Sequence, residues 1–221
     1  MDMETIWLSI ELAACTTLIL FLFGLPLAYW LAVSRWRLKF LLEAVVVLPM
    51  ILPPTVLGFY ILVALGPTSP LGRIYEAATG QVLPFSFQGL LLASVLYSLP
   101  FAVRPFNAAF ASVDRRLIEA SWCLGVSRSG TFLKVVCPLA WAGILTGLVL
   151  SFAHTLGEFG VVLMVGGNVP GVTRTVSIAI YDQVQALDYS QAALTSLVLL
   201  ATSFIALSVT QLLNPNGRYG T

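Results

Sequence analysis

The sequence predicts an all-α polytopic membrane protein, one domain over residues 1–221. Three observations carry that class. Hydrophobic residues make up 58% of the chain and charged residues 10%, the apolar residues gather in runs long enough to cross a bilayer, and the basic residues lie mostly between those runs on one side. So little polar surface cannot cover a soluble globule. The net charge of +1 carries no sign of nucleic-acid binding.

A hydrocarbon core about 30 Å thick needs roughly 20 mostly apolar residues per helix. The first run is Ile6 to Val33, with Trp7, Trp30 and Trp36 near its ends, where indole rings suit the membrane interface or a protein core equally. The second, Leu41 to Leu65, is broken by Pro49, Pro53 and Pro54, and the third, Gln88 to about Ala111, holds Pro100 and Pro105. Proline in a spanning helix frees a carbonyl and bends the axis, which is tolerated when neighbours satisfy the freed group. The fourth run is Pro138 to Leu156 and the fifth Ala192 to Leu213, stopped by Asn214-Pro215. Val161 to Val165 is apolar too, but Gly166-Gly167-Asn168-Val169-Pro170-Gly171 ends it within half a bilayer. A re-entrant or surface segment fits it, with a sixth span as the alternative. In the following TVSIAIYDQVQALDYSQ, Asp182, Gln183, Gln185 and Asp188 interrupt the apolar residues, as in a short amphipathic helix. Residues 158–191 therefore form an external re-entrant and amphipathic region.

Arg35, Arg37, Lys39, Arg104, Arg115, Arg116, Arg128, Lys134 and Arg218 fall on one side of the spans, against Arg73 and Arg174 on the other. The richer side is expected to be cytoplasmic. Met1-Asp2-Met3-Glu4-Thr5 lacks a basic segment and is expected to be external, which with five spans puts the C-terminus in the cytoplasm. Cys15, Cys123 and Cys137 form no disulfide framework and are expected to be structural.

The longest cytoplasmic connection, residues 114–137, has a pattern of its own. Asp114 suits the cap of a helix from Arg115 to Leu124, on which Leu117, Ser121 and Leu124 share a face and Ile118 and Trp122 widen the apolar stripe. Gly125 suits a left-handed end, Ser127 the cap of a second short helix, and Pro138 the entry to the next span. An amphipathic pair at the membrane surface needs its stripe covered, by lipid or by another protein.

Glu119-Ala120-Ser121, then Gly125, then Val135, Val136 and Pro138, resembles the glutamate-alanine-alanine loop of binding-protein-dependent ABC importer permeases. Ser121, Val135 and Cys137 stand where that family usually has Ala, Ile and Leu. LPMILPPTVLGFYILVALG and FAHTLGEFGVVLMVGGNVPGVTRT resemble stretches of the molybdate-type permeases, whose relatives carry sulfate or tungstate. The resemblance implies the type I importer architecture and placement in the bacterial inner membrane. It makes the loop the coupling helix that docks on an ATP-binding subunit, through Arg115, Leu117, Ile118, Glu119, Ala120, Ser121, Trp122, Leu124, Gly125 and Pro138. It implies a second copy of the chain, cytoplasmic ATPase subunits holding ATP and Mg2+, and an external solute-binding protein that docks on residues 66–86 and 168–190 and sets selectivity.

No G-x-x-x-x-G-K-[ST] phosphate loop occurs in the sequence, so energy is expected from a partner and no cofactor from this chain. No catalytic residue is assigned, and no H-E-x-x-H or Cys/His set suggests a metal. Gly143 and Gly147 make a G-x-x-x-G that lets helices approach closely, between two copies or, more commonly, within one. Glu158 lies between glycines where a carboxylate near the membrane centre would cost about 2.5 to 3.5 kcal/mol. It is expected to hold a gate, by accepting backbone amides or by pairing with Arg174. His154 precedes it by one helical turn, as a packed polar pair or, less simply, as the couple of an intramembrane enzyme or proton carrier. Ser94, Ser98, Ser151 and Thr155 are the neutral donors expected along an anion pathway, although each could instead bond its own helix.

Overall fold

The computed structural model describes residues 3–213, and these are helical with no strands. The expected features at Asn214, Pro215 and Arg218 lie outside the described residues. Helix α1 runs over Met3–Val33 and α2 over Lys39–Ile51, followed by α3 (Pro54–Leu65) and α4 (Pro70–Thr79). Next come α5 (Phe87–Ala111), α6 (Arg115–Cys123) and α7 (Arg128–Gly157). The last three are α8 (Gly160–Gly166), α9 (Val176–Gln185) and α10 (Tyr189–Leu213). Helices α1, α5, α7 and α10 are long and apolar enough to span, and α2 with α3 makes a fifth, broken span. At seven residues, α8 is about 10 Å long and cannot be a sixth.

Prolines set the shape of the long helices in two ways. Pro26 and Pro138 each follow a π-helical turn, Leu20–Gly24 and Phe132–Val136, that widens the helix just ahead of the ring. The extra residue in the turn accommodates the missing N–H without breaking the helix. As a result, the short helix expected after Ser127 does not stop before Pro138 but continues unbroken into the fourth span. The Pro53-Pro54 pair acts differently. Two successive prolines remove two donors, and the residue before each is forced out of the helical region. Leu52 and Pro53 are extended (ψ 142° and 134°), and α2 and α3 meet at 114°. A kinked span was expected; the chain leaves the helix altogether and restarts on the Pro53 carbonyl, which accepts the Val56 and Leu57 amides at 3.0 and 3.1 Å.

The core lies where α5 packs along α7 and α1, around Leu20, Leu31, Val103, Phe106, Val136 and Ile144. Gly143 and Gly147 face this seam: a Cβ on Gly143 would meet Ala109, and one on Gly147 would lie 2.6 Å from Phe106 and 2.9 Å from the Ala102 carbonyl. The G-x-x-x-G is thus spent within one subunit, and the alternative of a contact between copies is corrected. Trp7, Trp30 and Trp36 are all well exposed, which favours the interface over the core. Helix α4 was not anticipated, though its signals are plain in Ser69-Pro70 and Gly80. Ser69 accepts the Gly72 amide at 2.8 Å, and Gly80 closes the helix at φ 70°. Asp188 starts α10 three residues ahead of the expected Ala192 by accepting the Gln191 amide at 3.2 Å.

Overpacking the seam should cost roughly 1–3 kcal/mol. Gly147→Val is therefore expected to lower the unfolding temperature of the detergent-purified protein clearly. Gly157→Ala, where a Cβ would meet nothing within 4 Å, should leave it near wild type.

Candidate functional site

Two parts of the chain carry the residues expected to matter, and each is built from a break in regular structure. In the loop, Asp114 is extended and its carboxylate accepts the Arg116 amide at 2.9 Å, starting α6. Arg115 Nε donates to Glu119 Oε1 at 2.9 Å one turn on, with both side chains exposed. The helix ends at Gly125, whose φ of 79° is strained for any residue with a Cβ. The Gly125 amide donates to the Trp122 carbonyl at 2.9 Å, and the Val126 amide to the Ser121 carbonyl at 3.1 Å, so the last turn is closed. Ser127 then caps α7 by accepting the Gly130 amide at 3.2 Å.

The two helices are pinned by one buried contact, Ser121 Oγ to Thr131 Oγ1 at 2.9 Å. That contact divides the expected stripe. Ser121 is buried and Ile118 half-buried, both turned to the bundle, while Leu117, Ala120 and Leu124 are exposed, Leu124 at 84%. Trp122 is exposed at the edge of a cleft beside α1. Apolar side chains are thus held outward on a rigid turn, and an uncovered patch of this kind fits a binding surface.

In the other part, α7 ends at Gly157 and Glu158 turns extended (φ −68°, ψ 133°). Its Oε1 accepts the Val161 amide at 2.8 Å, which satisfies a first-turn N–H of α8. Glu158 is 7% exposed, so this bond is made away from water. Arg174 does not reach it. Its Nη2 sits 2.9 Å from Asp182 Oδ2, an oxygen that also accepts Asn168 Nδ2 at 2.7 Å. Thr173 sets that position by donating to the Gly166 carbonyl at 2.6 Å and closing the turn. Of the two partners expected for Glu158, backbone amides are correct and Arg174 is not. The Asp182–Arg174–Asn168 cluster was missed because its members are brought together by a turn, not by helical spacing.

The two helix breaks meet. A Cβ on Gly160 would lie 2.6 Å from Pro54 Cβ, and one on Gly58 would lie 2.7 Å from Met164 Cβ. Small residues on α3 and α8 therefore allow these short helices to lock together beside the prolines.

The polar residues expected along the pathway lie on α5 and α7. Ser98 Oγ is 3.0 Å from His154 Nδ1 and 2.9 Å from Thr155 Oγ1. The His154 ring stacks on Phe101 at 3.8 Å. Ser151 and Thr155 donate to carbonyls of their own helix, Leu148 at 3.0 Å and Ser151 at 2.8 Å. Ser94 is buried, and its Oγ has no partner among the described residues. Glu158 has left the helix, so it no longer shares a face with His154, and each is held by different groups. The packed His–Glu pair is thereby corrected. Among the described residues no three His, Cys, Asp or Glu side chains gather as a metal site would require.

Residues 24–219 match the family described as binding-protein-dependent transport system inner membrane component, and the chain belongs to that family. Among its relatives is the molybdenum transport system permease protein ModB of Azotobacter vinelandii, 48% identical over 206 residues that cover 93% of this chain and 91% of that protein. The ModB of Escherichia coli K12 is 34% identical over 95% of this chain and 92% of its own. A probable sulfate transport system permease protein, cysT of Prototheca wickerhamii, is 33% identical over 93% of this chain and 79% of its own. Two solved structures share the fold at 16% identity. A bacterial ABC transporter that imports alginate has a TM-score of 0.74 over 99% of this chain and 79% of that one, and the MetNI methionine transporter 0.70 over 95% and 94%.

Removing the acceptor at position 158 leaves a buried N–H unpaired, at a cost of about 1–3 kcal/mol. Glu158→Ala is expected to lower the unfolding temperature of the purified chain, whereas Glu158→Gln, which keeps an oxygen for the Val161 amide, should stay close to wild type.

Proposed function

We propose that this chain is the membrane-spanning permease subunit of an ATP-driven importer that carries molybdate across the bacterial inner membrane. Two copies form the pathway on their shared axis and alternate between outward and inward openings. Cytoplasmic ATPase subunits bind ATP and Mg2+ and drive the cycle through residues 114–137, and an external solute-binding protein delivers the anion. The observation that carries the coupling role is the Gly125 turn, which holds Leu117, Ala120 and Leu124 outward while Ser121 anchors the helix to Thr131. A movement imposed on α6 passes through that anchor into α7, a helix that runs unbroken to the Glu158 break. The choice of molybdate is supported by the ModB relatives, with sulfate and tungstate as the neighbouring specificities.

In this cycle Glu158 positions a gate. It holds the start of α8, and α8 locks to α3 at the paired breaks. The orientation follows the basic residues: external N-terminus, cytoplasmic loop and cytoplasmic C-terminus. The buried Ser94, Ser98, Ser151 and Thr155 reach the anion only if the seam of α5 and α7 opens during the cycle. As the helices pack here, Ser98 ties the two together through His154 and Thr155.

Two tests follow. In a background free of native cysteine, a cysteine at position 76 should be labelled from outside and one at position 128 only after permeabilisation; outside labelling of 128 inverts the topology. Gly125→Val forces a β-branched residue into a positive φ and should leave the protein inserted while abolishing vesicle uptake of molybdate and weakening pull-down of the ATPase. Glu119→Lys should weaken the same pull-down, because it reverses the charge paired with Arg115. Normal uptake and pull-down by both variants would return the loop to an ordinary lipid-facing surface.

A further inference from the structure

A cleft of about 740 Å³ opens between the second half of α1, the end of α5 and the loop helices. Its charged lining residues are Arg35, Arg115 and Arg128, and none of its lining residues is acidic. Arg115 is held by Glu119, while Arg35 and Arg128 make no ion pair among the described residues. Ser129 also lines the cleft, at the first turn of a 30-residue helix. Free amides and the helix dipole there favour a negative group. Arg35 and Arg128 are thus two guanidinium groups without a counter-charge on one cleft, which favours an anion between them, and their forked donors match the oxygens of a phosphate.

The walls narrow the choice of anion. Leu25, Tyr29, Val33 and Phe132 line the same cleft, so its apolar side follows a helix that spans the membrane. The exposed Trp30 and Trp36 rings lie 6.0 Å apart beside Arg35, which marks the headgroup level of the bilayer. A soluble anion would use the arginines and leave these walls bare, whereas an anionic lipid fills both.

We infer that this cleft binds the phosphate of an anionic phospholipid, with Arg35 and Arg128 on the phosphodiester and an acyl chain along Leu25, Tyr29 and Phe132. Basic pockets between spanning helices hold lipid headgroups by this combination. The lipid would wedge between α1 and α6, next to the Ser121–Thr131 anchor, and so bear on the element proposed to couple the ATPase. The inference rests on that reading only for the identity of the leaflet.

The test is native mass spectrometry of the detergent-purified importer complex, titrated with dioleoyl phosphatidylglycerol or dioleoyl phosphatidylcholine. Wild type should retain phosphatidylglycerol about tenfold better, as a charge-selective pocket requires. Arg35→Gln with Arg128→Gln should remove the preference, and Arg35→Lys with Arg128→Lys should keep much of it. Equal retention of both lipids by wild type, or an unchanged preference in the glutamine pair, overturns the inference. Binding of inorganic phosphate at these arginines without any lipid preference also overturns it and assigns the cleft to a soluble oxyanion. Transport is not read in this measurement, so its failure is separate from failure of the importer function.

Discussion

Lipid offers no hydrogen bonds, so every place where this chain leaves the helix inside the bundle must be supplied with partners by the protein itself. The structure has two such places, Leu52-Pro53 and Glu158-Phe159, and puts their short helices against each other. Pro53 and Pro54 carry no N–H, which lowers the number of donors needing partners at the first break. At the second, Glu158 provides the acceptor for Val161, and Gly160 and Gly58 clear space for Pro54 and Met164. Each break is made tolerable by residues at or beside the other. Helix α5 packs against both short helices of this joint, and the joint is where the bundle has fewest continuous helical bonds. That is the physical reason the proposed gate is placed there.

The loop shows the opposite economy. Here the turns are closed by Asp114, the Gly125 turn and Ser127, and apolar surface is left uncovered. Leu124 is largely uncovered and Leu117 about half covered by the chain's own packing, so the remaining apolar surface would be stabilised by a partner. A turn with an uncovered stripe at one end of α7, and a carboxylate-held break at the other, gives α7 the form of a lever, which the proposed coupling of an ATPase to a gate would use.

Much of this was legible because the signals are local. Asp114, Gly125 and Ser127 act within one turn of their positions, and the spans follow from run length alone. The 114° turn at Pro53-Pro54 was underestimated because one proline bends a helix whereas two in succession with extended φ/ψ end it. The fate of Gly143 and Gly147 was open because close approach is written in the sequence but its partner, α5, is not. The alternative that paired Arg174 with Glu158 rested on charge alone, and the Thr173 turn carries Arg174 to Asp182 instead. Pairings of that kind depend on loops whose geometry no spacing rule reports.

The reading of α7 as a lever requires that energy enter from outside the chain. The direct measurement is uptake of molybdate into proteoliposomes that hold this permease with its solute-binding protein, with and without the ATPase subunit and ATP. The account predicts uptake only when ATPase and hydrolysable nucleotide are both present, and none with a non-hydrolysable analogue beyond a single turnover. Sustained uptake by the permease alone would contradict it and make the chain a passive channel.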